Sequence, residues 1–167
     1  REVLIHRLKN FLRLEREHSQ GHSLMGLEVP CKTDFHLEKG RKAGIKGVLD
    51  RVEKDREGII WVIDYKTGSK IRMPRATVAS RISDKESMRQ ELVSFQLPMY
   101  LLLCDQHYAL GSEWSRINAA LYGLRGLEES SNLNALRTIL FQQGDGRAKI
   151  VQGIYVPALK TIIKEIL

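Results

Sequence analysis

Leu4, Leu8, Phe11 and Leu12 recur at helical spacing, which predicts an amphipathic helix over the first seventeen residues, ending before Gly21. Residues 24–37 read as a strand, with Glu28 inside a mixed run of apolar and polar positions. Residues 47–53 and 59–65 are the clearest strands. The tetrapeptide Asp55-Arg56-Glu57-Gly58 between them is polar and ends in glycine, as hairpin turns do. Ile59-Ile60-Trp61-Val62-Ile63 does not alternate, which predicts a central strand covered on both faces. Residues 68–90 lack an apolar period and carry Pro74, so they read as a long loop. A helix follows from about Ser94 to Tyr108, with Pro98 in its first turn or kinking it. Residues 117–124 read as another strand, and residues 126–146 are polar and ambiguous. Pro157 opens a last helix with Leu159, Ile162, Ile163 and Ile166 on one stripe. Helix, three strands, helix, strand, helix is an α/β order, a mixed sheet containing a hairpin and flanked by helices.

The 167 residues amount to one domain, enough to bury about 70% of the unfolded surface. No stretch approaches the roughly 18 consecutive apolar residues of a membrane span, so no membrane partner is expected. With no initiator Met and no signal pattern at Arg1, the chain reads as a single domain cut from a longer protein, with a cytoplasmic location expected. Cys31 and Cys104 have no CxxC partner, which excludes a disulfide scaffold and a cysteine zinc site and predicts buried free thiols. The formal charge is +7, and residues 66–89 hold seven Lys/Arg against two acids. That balance allows an anionic partner, DNA among them, although a solvated basic loop has the same composition.

A hairpin turning at residues 55–58 pairs positions whose numbers add to 113 or 114, a rule that Asp50 and Asp64 meet. Opposed residues hold their Cβ atoms about 4.5–5.5 Å apart, where like charges repel, so the pair calls for a shared cation. All-oxygen ligation suits Mg²⁺ or Mn²⁺ better than zinc, and the carbonyl of Tyr65 is a further hard donor. Lys66 lies two residues past Asp64 and so on the same strand face, where an ammonium can serve a metal-bound water. Spacing alone equally allows a strand-end salt bridge, Asp64 with Lys66 or Asp50 with Arg51.

Three motifs run in order: Gly47-Val48-Leu49-Asp50-Arg51-Val52-Glu53, Asp64-Tyr65-Lys66-Thr67-Gly68, and Gln96-Leu97-Pro98-Met99-Tyr100. They resemble the G-x-x-D-R-x-D/E, D-Y-K-T-G and Q-x-x-x-Y motifs of the PD-(D/E)XK nuclease superfamily, in its RecB-like branch. The resemblance covers roughly residues 24–125. It implies a restriction-endonuclease-like core in which Asp50 and Asp64 bind the metal and Lys66 serves the attacking water. Gln96 and Tyr100 would contact DNA or support the site. Arg51 would brace the site or pair with an acid. Glu28 stands where relatives carry a Glu, as a further acidic member of the site or as a solvated strand residue.

The function implied is a metal-dependent DNA nuclease domain of an AddB- or RecB-like recombination and repair protein, an exonuclease rather than an endonuclease. A helicase motor in the same chain or complex is a further expected partner. The alternative is a nuclease-like module without cleavage that binds DNA or a partner protein. Relatives carry a metal-binding His on an upstream helix. His6 is helical but faces away from the apolar stripe, and His18, His22, His36 and His107 read as surface or loop residues, so the equivalent is expected before Arg1. Some relatives hold an iron–sulfur cluster on four Cys; Cys31 and Cys104 do not match that pattern, and no such cluster is expected here.

Overall fold

The computed structural model describes residues 2–37, 40–68, 72–74, 86, 90, 92–127 and 133–166. Its elements are α1 (Glu2–His18), β1 (Ser23–His36), β2 (Lys42–Lys54), β3 (Ile60–Lys66) and α2 (Gln96–His107). They continue with β4 (Ile117–Gly123), β5 (Arg137–Ile139), α3 (Arg147–Ile150), a π-helical stretch (Val151–Tyr155) and α4 (Val156–Ile166). Asp55 builds the β2–β3 turn: its carboxylate accepts the Ile59 amide at 2.8 Å and the Trp61 indole N–H at 2.7 Å. Gly58 supplies the left-handed φ of 83° that the turn requires.

The five strands lie in sequence order, β1-β2-β3-β4-β5. All neighbours are antiparallel except β3 and β4, which run parallel, with α2 in the connection between them. The central β3 is buried from Ile60 to Asp64, as its unbroken apolar run predicts. Successive residues of β3 serve two cores. Ile60 and Val62 join Val52, Leu97, Leu101, Cys104, Ile117 and Leu121 on the α2 face. Trp61 and Ile63 join Leu14, Ala120 and Tyr122 on the α1 face. Both cysteines are free and buried, and burial pushes the Cys104 thiol up to about 12.

Two expectations, on α1 and on the last helix, are corrected, and two open readings, on Pro98 and on residues 126–146, are decided. First, α1 docks through only part of its apolar stripe: Phe11 packs on the sheet, Leu8 and Leu12 are exposed, and Leu14, outside the stripe, is the buried anchor. Its sheet-facing side mixes Phe11 and Leu14 with polar residues that find distant partners, Asn10 on the Leu127 carbonyl and Glu15 on Arg51. Second, α2 starts at Gln96, and Pro98 sits in its first turn, where its missing N–H breaks no helical bond. Third, residues 137–139 form β5 on the sheet edge. Fourth, the last helix runs from Val156 with Pro157 in its first turn, as expected, but helical structure leads into it from Arg147, and Ile166 of the expected stripe is exposed. The expected loop and basic segment at residues 66–90 lie largely outside the described residues.

Candidate active site

The β2–β3 ladder pairs Arg51 with Ile63 and Val52 with Val62, so its next step sets Asp50 opposite Asp64. Asp50 Oδ2 accepts the Tyr65 amide at 2.9 Å, which ties its carboxylate across the strands. Asp64 is 2% exposed and faces α2. Lys66, two residues on, places Nζ 2.7 Å from Asp64 Oδ2. Gln96, the first residue of α2, closes the ring: Lys66 Nζ donates to its Oε1 at 2.7 Å, and its Nε2 donates to Asp64 Oδ1 at 2.6 Å. The same Nε2 lies 3.0 Å from Tyr100 Oη, one helical turn further on. Five of the expected residues therefore meet, each held by a neighbour.

Burial raises the Asp64 carboxyl above its ordinary range, the Lys66 ammonium pulls it back, and the nearby Asp50 charge adds to the rise. Asp64 is already paired with the Lys66 ammonium, and the Asp50 carboxylate across the ladder adds a second oxygen donor beside it. The donor set is all oxygen and fits a hard divalent ion. Asp50 Oδ1 has no hydrogen bond among the described residues. Asp64 spends one contact on each oxygen and keeps further lone pairs.

Glu28 sits level with Asp50 on β1, between the pairs Leu27–Arg51 and Val29–Leu49. It is exposed and holds a φ of 48°, uncommon for a residue with a Cβ. Arg51 turns to the opposite face. Its guanidinium pairs with Glu15, lies 2.6 Å from Glu53 Oε2, and donates to Tyr65 Oη at 3.1 Å. The Tyr65 ring is on that face too, edge-on to Phe11.

His6, His36 and His107 are exposed. The expectation that His18 and His22 are plain surface or loop residues is corrected. His18 is the last residue of α1, with Nε2 3.4 Å from Tyr122 Oη, and His22 Nδ1 lies 3.1 Å from Glu53 Oε1. Sequence reasoning missed this cluster. Its signal was the His18-x-x-x-His22 spacing, which is common among metal-ligand pairs. Its carboxylate comes from a strand residue 31 positions downstream of His22.

A family model for the PD-(D/E)XK nuclease superfamily matches residues 1–159. No curated protein matches the chain. Among solved structures, the crystal structure of SSO0001 is similar, with 19% identity and a TM-score of 0.39. The match covers 94% of this chain and 59% of the length of that one.

Proposed function

We propose that this chain, which belongs to the PD-(D/E)XK nuclease superfamily, hydrolyses DNA phosphodiesters with a divalent cation, Mg²⁺ or Mn²⁺, held at Asp50 and Asp64. The observation that carries the reading is the closed ring Asp64–Lys66–Gln96 beside the Asp50 carboxylate. A bound divalent ion supplies a water of lowered pKa and offsets charge on the phosphate. Lys66 commits N–H bonds to Asp64 and Gln96, and an ammonium has a third to hold the attacking water or a phosphate oxygen. Gln96 fixes Asp64 and Lys66 together, and Tyr100 steadies Gln96.

The RecB-like assignment, with exonuclease action in recombination or repair, is supported by the order and content of the three motifs. DNA as substrate is supported by the +7 charge. A helicase motor in the same chain or complex belongs to the reading through the family resemblance alone.

The test compares wild type, Asp64→Ala and Lys66→Ala in thermal melts with and without Mg²⁺ or Mn²⁺, beside cleavage of a labelled oligonucleotide. Metal at 100 times Kd stabilises wild type by about 2.7 kcal/mol. For a domain of this size that is about 5–11 °C. Asp64→Ala loses this shift. Lys66→Ala keeps it and loses cleavage. An Asp64→Ala protein that still responds to metal overturns the ligand assignment. Cleavage is read on the protein extended upstream to include the expected His; there, a wild type that binds DNA and metal yet leaves the oligonucleotide intact is the non-cleaving module instead.

A further inference from the structure

On the α1 face of the sheet, away from Asp64, three segments converge: the last residue of α1, the turn after it, and β2. They bring His18, His22 and Glu53 together, with one ligand atom from each within 4.8 Å of the others. Glu53 is 1% exposed, and both histidines are partly buried. We propose that these three residues form a second cation site, for a borderline transition ion of the Zn²⁺ class, separate from the Asp50–Asp64 site.

The donor chemistry comes first. Two imidazoles and one carboxylate are the ligands zinc takes in three-ligand sites with an open position, whereas Mg²⁺ prefers oxygen donors. Distances come second. With Zn–N and Zn–O of about 2.0–2.1 Å, neighbouring ligand atoms of a tetrahedron lie about 3.3 Å apart. The His22 Nδ1–Glu53 Oε1 gap of 3.1 Å already spans one such edge. The widest gap of 4.8 Å closes with an inward shift of about 1.5 Å, which imidazole rotation supplies.

The surroundings already orient the ligands. Arg51 holds Glu53 Oε2 at 2.6 Å and so presents Oε1 to the histidines, while Tyr122 Oη flanks His18. The guanidiniums of Arg51 and Arg137 oppose a cation here, and Glu15 offsets Arg51. A cavity of about 390 Å³, lined by Glu17, His18, Gln20, His22 and Arg56, leaves room for a water on the open position. An ion at this place ties the end of α1 to β2 next to the hairpin turn.

The decisive measurement is Zn²⁺ titration of Asp50→Ala/Asp64→Ala protein, which removes the other site, by calorimetry. One equivalent is expected, lost on adding His22→Ala and not competed by excess Mg²⁺. Imidazole NMR of the wild-type chain gives the same answer with no substitution. Zn²⁺ shifts the His18 and His22 signals and leaves His6, His36 and His107 unmoved. No binding in the double variant, an equivalent that survives His22→Ala, or equal shifts of all five histidines overturns the site. The phosphodiester-cleaving reading stands or falls on the Asp64 and Lys66 variants, independently of these outcomes.

Discussion

Gln96→Ala cuts the ring at the residue that, among the described ones, bonds both Asp64 and Lys66. The two losses are unequal. The Lys66 side chain is 31% exposed and recovers its bond from water, whereas the Asp64 side chain is 3% exposed and keeps an oxygen with no donor. A hydrogen bond to a buried charge is worth about 1.5–3 kcal/mol, so the melting temperature falls by about 3–12 °C. Cleavage falls further than stability implies, since loss of a residue that orients a metal ligand costs about 10–100-fold. Gln96→Glu separates the two bonds. It restores an acceptor for Lys66 but faces Asp64 Oδ1 with a second carboxylate, at a position where the native contact is 2.6 Å. The expected order of metal-free stability is therefore wild type, then Ala, then Glu. Differential scanning calorimetry without metal, with oligonucleotide cleavage measured in parallel, checks it. A Gln96→Ala protein with unchanged melting and unchanged cleavage refutes the reasoning, and so does Glu melting above Ala.

Arg51→Ala leaves Glu15 and Glu53 without their cation, at side-chain exposures of 13% and 1%, and costs about 3–5 kcal/mol in urea unfolding. Arg51→Lys recovers only part, because one ammonium cannot span both carboxylates as the guanidinium fork does. Gly47→Val costs about 1–3 kcal/mol by overpacking, since a Cβ there lies 2.9 Å from Leu103 Cδ1 in the core. Gly44→Ala on the same strand, where a Cβ meets nothing within 4 Å, is the control and should unfold like wild type in that respect. A thiol-reactive disulfide reagent leaves Cys31 and Cys104 unlabelled in the folded protein and labels both in denaturant, because burial raises both thiols and Cys104 reaches about 12. Labelling at the native rate of a free thiol contradicts that burial.

What the sequence made legible is what local chemistry decides. The Asp55–Gly58 turn sets the β2–β3 register, and the register sets Asp50 opposite Asp64 with no other information. The unbroken apolar run of β3 likewise reveals its central place. The buried side of α1 was illegible because partners far along the chain satisfy its polar residues: Asn10 meets Leu127, 117 positions away, and His18 meets Tyr122, 104 away. Reading only apolar positions picks Leu8 and Leu12, the residues left outside. The three-residue β5 is too short for any period to mark it. The motif Asp50-Arg51-Val52-Glu53 hides a subtler division. Side chains alternate along a strand, so adjacent residues serve different faces. Asp50 goes to the Asp64 carboxylate, while Arg51 and Glu53 go to α1, its histidine and the turn beyond it. Gln96, 32 positions from Asp64, joins the first group. A contiguous motif thus contributes to two separate clusters, one per sheet face, and substitution of neighbouring motif residues should produce unlike defects: loss of metal response for Asp50, loss of fold stability for Arg51.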